Sequence, residues 1–192
     1  MPTLILASTS PYKRELLARL GLTFEAHAPE VSETLTADET PRAATLRLAQ
    51  AKARAVAATH PRALVLAGDQ LAGLANEAIG KPRDGATAEA QLARMSARTL
   101  TFYTAIALLA PGAGAPETHL DESRVQLREL TREEIHRYVA REKPFDCAGG
   151  LKLESMGSTL CERIETEDPS ALIGLPLISV ARLLRKQGLA LP

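Results

Sequence analysis

The sequence predicts an α/β fold with a mixed β-sheet flanked by helices, and three observations lead there. Apolar runs of strand length alternate with segments whose apolar residues recur every three or four positions. Pro, Gly and hydroxyl residues stand where such segments should start or stop. No internal repeat or low-complexity linker breaks the 192 residues, so residues 1–192 read as one domain.

Taken in order, Thr3–Ala7 is a first strand, apolar enough to be buried on both faces. Ser8-Thr9-Ser10 turns the chain, and Ser10 caps a helix with Pro11 in its first position. Leu16, Leu17 and Leu20 form its inward stripe, and Gly21 ends it. Phe24–Ala28 is a short strand, followed by an acidic loop, Pro29–Thr40. A second helix opens near Pro41 with Leu46, Ala49, Ala53 and Val56 inward, and His60-Pro61 stops it. Ala63–Gly68 is an apolar strand that ends at Asp69-Gln70. Gly80-Lys81-Pro82 is a loop before a helix from about Asp84 to Met95, its stripe Ala88, Leu92 and Met95. Thr99–Ala110 and Ser123–Leu130 are strands joined across a Gly/Pro/Ala turn, Pro111–Pro116. Thr131 and Glu134 form a capping box for a helix that buries Ile135, Tyr138 and Val139. A Gly-rich stretch follows Lys143-Pro144, then a strand at Thr159–Ile164 and a last helix from Pro176 to Gly188.

Composition narrows the function. Lys+Arg and Asp+Glu balance at 23 each, so no net field attracts a nucleic-acid polymer, and any phosphate recognition is local. The first apolar run, Leu4–Ala7, is too short for a signal peptide, and nothing approaches the roughly 20 apolar residues of a membrane span. Cys147 and Cys161 form no CxxC pair and read as reduced thiols, the expectation for a cytoplasmic protein.

The chemistry-bearing residues fall in four places. Ser8-Thr9-Ser10-Pro11-Tyr12-Lys13-Arg14 joins a strand to a helix N-terminus, where backbone N–H groups, hydroxyls and two cations favour an anion. It is not a Walker loop, because GxxxxGK[ST] is absent. Asp69, beside Gly68 at a strand's end, could hold Mg²⁺, accept a proton from water, or simply cap a turn. Lys81, fixed between Gly80 and Pro82, and Lys52 on the second helix could neutralise phosphate oxygens. Glu33, in the acidic loop, could complete a hard-cation site with Asp69. No G-x-S-x-G surrounds any serine, which argues against a serine hydrolase.

In chain order, eight blocks resemble the Maf family. They are Leu6-Ala7-Ser8-x-Ser10-Pro11, Glu33, Asp69-Gln70, Gly80-Lys81-Pro82, Glu134-Ile135 to Tyr138, Ala148-Gly149, Glu162-Arg163-Ile164 and Gly174-Leu175-Pro176-Leu177, spread from about Leu4 to Leu184. The resemblance implies a Maf/inosine-triphosphatase-like fold, an elongated mixed sheet with two lobes around a cleft. It also implies cleavage of a nucleoside triphosphate between its α and β phosphates, with a divalent metal, Mg²⁺ or Mn²⁺. Carried over, Asp69 is the general base and a metal ligand, and Glu33 supports the metal. Ser8, Ser10, Lys13, Lys52 and Lys81 contact phosphates. Lys13 stands where most members of the family have Arg.

Tyr12, Gln70 and Glu154 fall at the positions that separate family members by base. Together with Phe145-Asp146-Cys147-Ala148-Gly149 they resemble the subfamily acting on 7-methyl-GTP. The methylated ring is cationic, so Tyr12 could stack on it and Glu154 attract it. The partner expected is thus a small nucleotide, with no membrane and no nucleic-acid polymer. Whether the chain acts alone or as a homodimer stays open. The alternatives are a dTTP/UTP pyrophosphatase of the same family, a nucleotidyltransferase, and a nucleotide-binding regulator of cell division without catalysis.

Overall fold

In the computed structural model, which describes residues 2–36 and 38–191, the elements are β1 (Leu4–Ala7), α1 (Pro11–Ala18), β2 (Glu25–His27), α2 (Pro41–Thr59), β3 (Leu64–Leu74), β4 (Glu77–Ile79), α3 (Gly85–Met95), β5 (Thr99–Leu109), β6 (Glu117–Leu127), α4 (Arg132–Glu142), β7 (Cys161–Glu165) and α5 (Leu177–Lys186). Three 3-10 turns, Ala148–Gly150, Met156–Leu160 and Pro169–Ile173, fill the loops of the second half. The strands form one seven-stranded sheet in the order β2-β1-β3-β5-β6-β7, with β4 also on β3. β1 is parallel to β2 and β3, and the pairs β3–β4, β3–β5, β5–β6 and β6–β7 are antiparallel, so the sheet is mixed as predicted.

The helices start where their caps do. Ser10, Thr40 and Asp84 each accept an N–H from the first turn of α1, α2 and α3. At α4 the capping box of Thr131 and Glu134 is complete in both directions. Apolar side chains gather in three places. α1 and α5 cover one face of the first half of the sheet through Leu16, Leu17, Val180 and Leu183, against Leu6, Leu66 and Ile106. α2 covers the other face, packing Ala49, Ala53 and Val56 on Ala7, Val65, Ala67, Ala105 and Ala107. Small residues on both sides let that helix lie close to the sheet. α3 and α4 pack on the second half around Phe102, Leu100 and Leu92. The two ends of the sheet therefore carry separate packed lobes, and a cleft of about 600 Å³ lies where residues of both meet.

Several expectations are corrected. The third strand does not end at Asp69 but continues to Leu74, because β5 pairs with it from Val65 to Gly73. A long antiparallel partner keeps hydrogen-bonding the chain after the apolar run stops, which sequence hydropathy does not register. β4 was not foreseen; three residues with one buried side chain give little periodic signal. β6 begins at Glu117 and ends at Leu127, earlier than Ser123–Leu130, since its polar first half is carried by pairing to β5. On α2, Ala44 and Leu48 are buried rather than Leu46, which is only partly covered. α1 stops at Ala18, and α5 at Lys186, short of the expected Leu20 and Gly188.

Candidate active site

The site begins with a break in the sheet. On one side of β3, β1 pairs only as far as Ala67, and pairing with β4 begins only at Ala72. Gly68 to Leu71 thus have β5 on one side and the cleft on the other. Asp69 lies in this gap. Strand alternation points it to the face of Val65 and Ala67, beneath α2, while Gln70 points to the opposite face.

Beneath α2, Asp69 meets Lys52. Both are buried, the Lys52 ammonium donates to Asp69 Oδ1, and it also reaches Glu33 Oε1 at 2.6 Å. Lys52 thus bridges the two carboxylates that the sequence reading joined through a metal. Burial alone would push the Lys52 amine down, but the two carboxylates hold it above its usual value, so it stays charged. Burial pushes the Asp69 carboxyl up, against the pull of Lys52 and Lys13, and Glu33 adds repulsion. A carboxylate made more basic in this way is a better proton acceptor near neutral pH. The Glu33 carboxyl is held below its usual range by its hydrogen bond from Lys52, despite partial burial.

Lys13 enters from the other face through a slot lined by glycines. A Cβ on Gly174 would come within 3.3 Å of its Nζ, and one on Gly68 within 3.4 Å of its Cε. Gly174 also has φ 125°, which an L side chain rarely adopts. Burial is the first cause that lowers the Lys13 amine, to about 8, with Lys52 and Lys81 adding repulsion and Asp69 and Glu33 opposing. Phosphate binding requires the ammonium, so affinity falls as pH rises through about 8. For the native chain KM is expected to climb between about pH 7 and 9, whereas Lys13→Arg, charged throughout, gives a flat KM. Steady-state kinetics across that range decide it, and identical profiles would discard the role of Lys13.

Around Lys13, Ser8 Oγ accepts from the Ser10 N–H at 3.1 Å and Ser10 Oγ from the Lys13 N–H at 3.4 Å. Each hydroxyl accepts and keeps its proton to donate into the cleft. Lys81 lines the same space from the loop after β4.

The far end of the cleft is acidic and aromatic. Tyr12, Asp146, Cys147 and Glu154 line it. Burial, with Cys147, Asp146 and Glu154 close by, raises the Tyr12 phenol well above its usual value, so the ring stays neutral. The Cys147 thiol is pushed up to about 12, first by burial and then by Asp146 and Glu154. Burial also raises Glu154, with Asp146 and Glu142 adding to it. Gln70 closes the side nearest the sheet. Its amide nitrogen donates to Thr104 Oγ1 at 3.0 Å, to the Ala171 carbonyl at 2.8 Å and to the Leu172 carbonyl at 3.1 Å. This orients the amide oxygen as the free end and ties the Pro169–Ile173 turn to β3.

All ten candidate residues therefore line one cleft: Ser8, Ser10, Tyr12, Lys13, Glu33, Lys52, Asp69, Gln70, Lys81 and Glu154. Arg83, Asp146 and Cys147 line it as well and were not singled out as site residues. The Gly-rich segment after Pro144 was a signal for the last two, since tight turns at Gly149 and Gly150 (both φ 64°) press it against the loop at Gly80. Among the described residues, no three His, Cys, Asp or Glu side chains gather as a metal cage. Two carboxylates held close together by one lysine nevertheless suit Mg²⁺ or Mn²⁺, which use one or two carboxylates and take further oxygens from a substrate phosphate.

A family model described as Maf-like protein matches residues 3–187. A 7-methyl-GTP pyrophosphatase of Xanthomonas campestris pv. campestris is 52% identical over 192 residues, covering 100% of both chains. One from Thiobacillus denitrificans is 48% identical over 187 residues, 97% of this chain and 93% of its own. Among solved structures, a nucleoside-triphosphatase (dITP/XTP pyrophosphatase) from Mycobacterium abscessus overlaps 67% of this chain and 75% of its own, at 18% identity and a TM-score of 0.44.

Proposed function

Since the chain belongs to the Maf-like family, we propose that it is a nucleoside triphosphate pyrophosphatase that converts 7-methyl-GTP to 7-methyl-GMP and pyrophosphate. One observation carries this reading: a single cleft joins a lysine-lined end holding a buried, basic carboxylate to an acidic, aromatic end. The first end suits a phosphate chain, and the second a positively charged purine.

In the proposed reaction Asp69 Oδ1 is anchored by Lys52, and the other oxygen takes a proton from the attacking water. The α–β anhydride bond breaks, and Lys13, Lys52 and Lys81 stabilise the charge that collects on the departing pyrophosphate. Mg²⁺ or Mn²⁺, held by Asp69 and Glu33, supplies further neutralisation of the phosphate oxygens when bound. Tyr12 offers a neutral ring face to the cationic base, worth ~0.5–2 kcal/mol. Glu154 adds a carboxylate that attracts the ring or accepts from its N–H groups. The reaction belongs in the cytoplasm, where nucleotides are made and where Cys147 and Cys161 remain thiols.

Pyrophosphate release from canonical and modified triphosphates, with Mg²⁺ or Mn²⁺, tests this. 7-Methyl-GTP is expected to be preferred, and Glu154→Gln should lower that preference over GTP by about tenfold, close to 1.4 kcal/mol. Preference for dTTP or UTP, or a selectivity that Glu154→Gln leaves untouched, would overturn the base assignment. No release from any nucleotide by folded protein would overturn the reaction.

A further inference from the structure

Arg83 lines the cleft two residues beyond Lys81, and the reaction above gives it no part. Its backbone is left-handed, with φ 67°. Ala75, Ala97 and Lys143 share that conformation, in a strand turn or at helix ends, but none of them lines the cleft. Positive φ is uncommon for a residue with a side chain and is held in place by its surroundings. Here the Arg83 N–H donates to the Phe145 carbonyl at 3.1 Å, and the Gly149 N–H donates to the Gly80 carbonyl at 3.3 Å. These two bonds seam the Lys81 loop to the loop that carries Asp146 and Cys147. The seam fixes where the Arg83 side chain leaves the wall.

The guanidinium at its end makes no ion pair or hydrogen bond among the described residues. Arg19, Arg42, Arg47, Arg94 and Arg128 each hold a carboxylate. Charge at the phosphate end is also short. Counting the protein's own side chains and leaving out any bound metal, three ammonium groups, on Lys13, Lys52 and Lys81, face two carboxylates, on Asp69 and Glu33, leaving one net positive charge for a triphosphate that carries several negative ones.

We propose that Arg83 is a further substrate-contact residue, whose guanidinium grips the phosphate chain of the nucleotide beside Lys81. The inference rests on the pyrophosphatase reading of the cleft. An arginine supplies what the lysines cannot, a planar fork that holds two phosphate oxygens at once.

The test compares full-length native protein, Arg83→Gln and Arg83→Lys. Gln makes the same backbone demand as Arg, so the seam persists. Calorimetry measures binding of inorganic pyrophosphate and, separately, of 7-methylguanosine, which has the base and no phosphate; kinetics give KM and kcat for 7-methyl-GTP. Arg83→Gln is expected to weaken pyrophosphate binding and raise KM by about tenfold, with kcat changed less and 7-methylguanosine binding within about twofold of native. Arg83→Lys should recover part of the pyrophosphate affinity. Unchanged pyrophosphate binding in Arg83→Gln would overturn the proposal. So would equal losses for pyrophosphate and nucleoside, which would mark a collapsed wall. Because pyrophosphate binding is read without turnover, an inactive native protein would sink the functional reading and still leave the Arg83 contact decided.

Discussion

Asp69→Asn is expected to lower kcat by about 10²–10⁴-fold while the protein stays folded. The substitution preserves size and an oxygen to face Lys52, and removes the negative charge and with it the capacity to accept a proton. In the native chain burial raises the Asp69 carboxyl above its unfolded value, so the group favours folding below the unfolded value and loses that contribution as pH rises through the folded one. Near neutral pH the fold therefore carries a buried charge that Asn does not have. Against this, Lys52 loses one of its two carboxylates, so the two changes oppose each other and Tm should move little. Turnover of 7-methyl-GTP and a thermal melt check both halves. Residual activity within about tenfold of native would remove Asp69 from the role of base.

Lys52→Met should be nearly as damaging, through a different cause. Its ammonium is the cation shared by Asp69 and Glu33. Without it, burial of Asp69 is opposed only by Lys13, and Glu33 repels it unscreened. More of the base is then protonated at neutral pH, and the leaving pyrophosphate loses a counter-charge. Together these should reduce kcat/KM by about 10²–10³-fold. The acid limb of its pH profile should also shift upward. Lys81→Met, which removes a phosphate cation that does not touch Asp69, should lower kcat/KM with the acid limb in place. Equal limbs in the two variants would show that Lys52 acts on phosphate alone. The stability loss should fall below the about 3–5 kcal/mol of a fully buried broken pair, because the Glu33 side chain is 64% exposed and Asp69 can take up a proton.

Much of this was legible in the chain. The cap at Ser10, the capping box at Thr131, the proline at the opening of α2 and the stripe of Ala88, Leu92 and Met95 depend on neighbours within a few residues, and they place the starts of α1 to α4 to within about one residue. Six of the ten candidate residues that line the cleft, Ser8, Ser10, Glu33, Asp69, Gln70 and Lys81, stand within the eight ordered blocks, and Tyr12, Lys13, Lys52 and Glu154 lie between them. Misreadings cluster where hydrogen bonding to a distant strand overrode local pattern: β3 beyond Asp69, the polar first half of β6, and β4. Arg83 was passed over because its signals, a positive φ and an unpaired guanidinium, do not exist until the chain is folded.

What the sequence determined by itself is which groups are present, and which short segments present them. A strand, a hydroxyl turn and a capped helix deliver Ser8 to Lys13, and a helical period delivers Lys52. Tertiary structure alone decided that β1 pairs with β3 only as far as Ala67 and β4 only from Ala72, opening the sheet edge at Asp69. It alone placed Lys52 between Asp69 and Glu33, and threaded Lys13 between Gly68 and Gly174. The reason is physical: caps and periods are properties of a few adjacent residues, whereas a carboxylate's basicity and a lysine's charge depend on burial and on cations and anions brought from far along the chain.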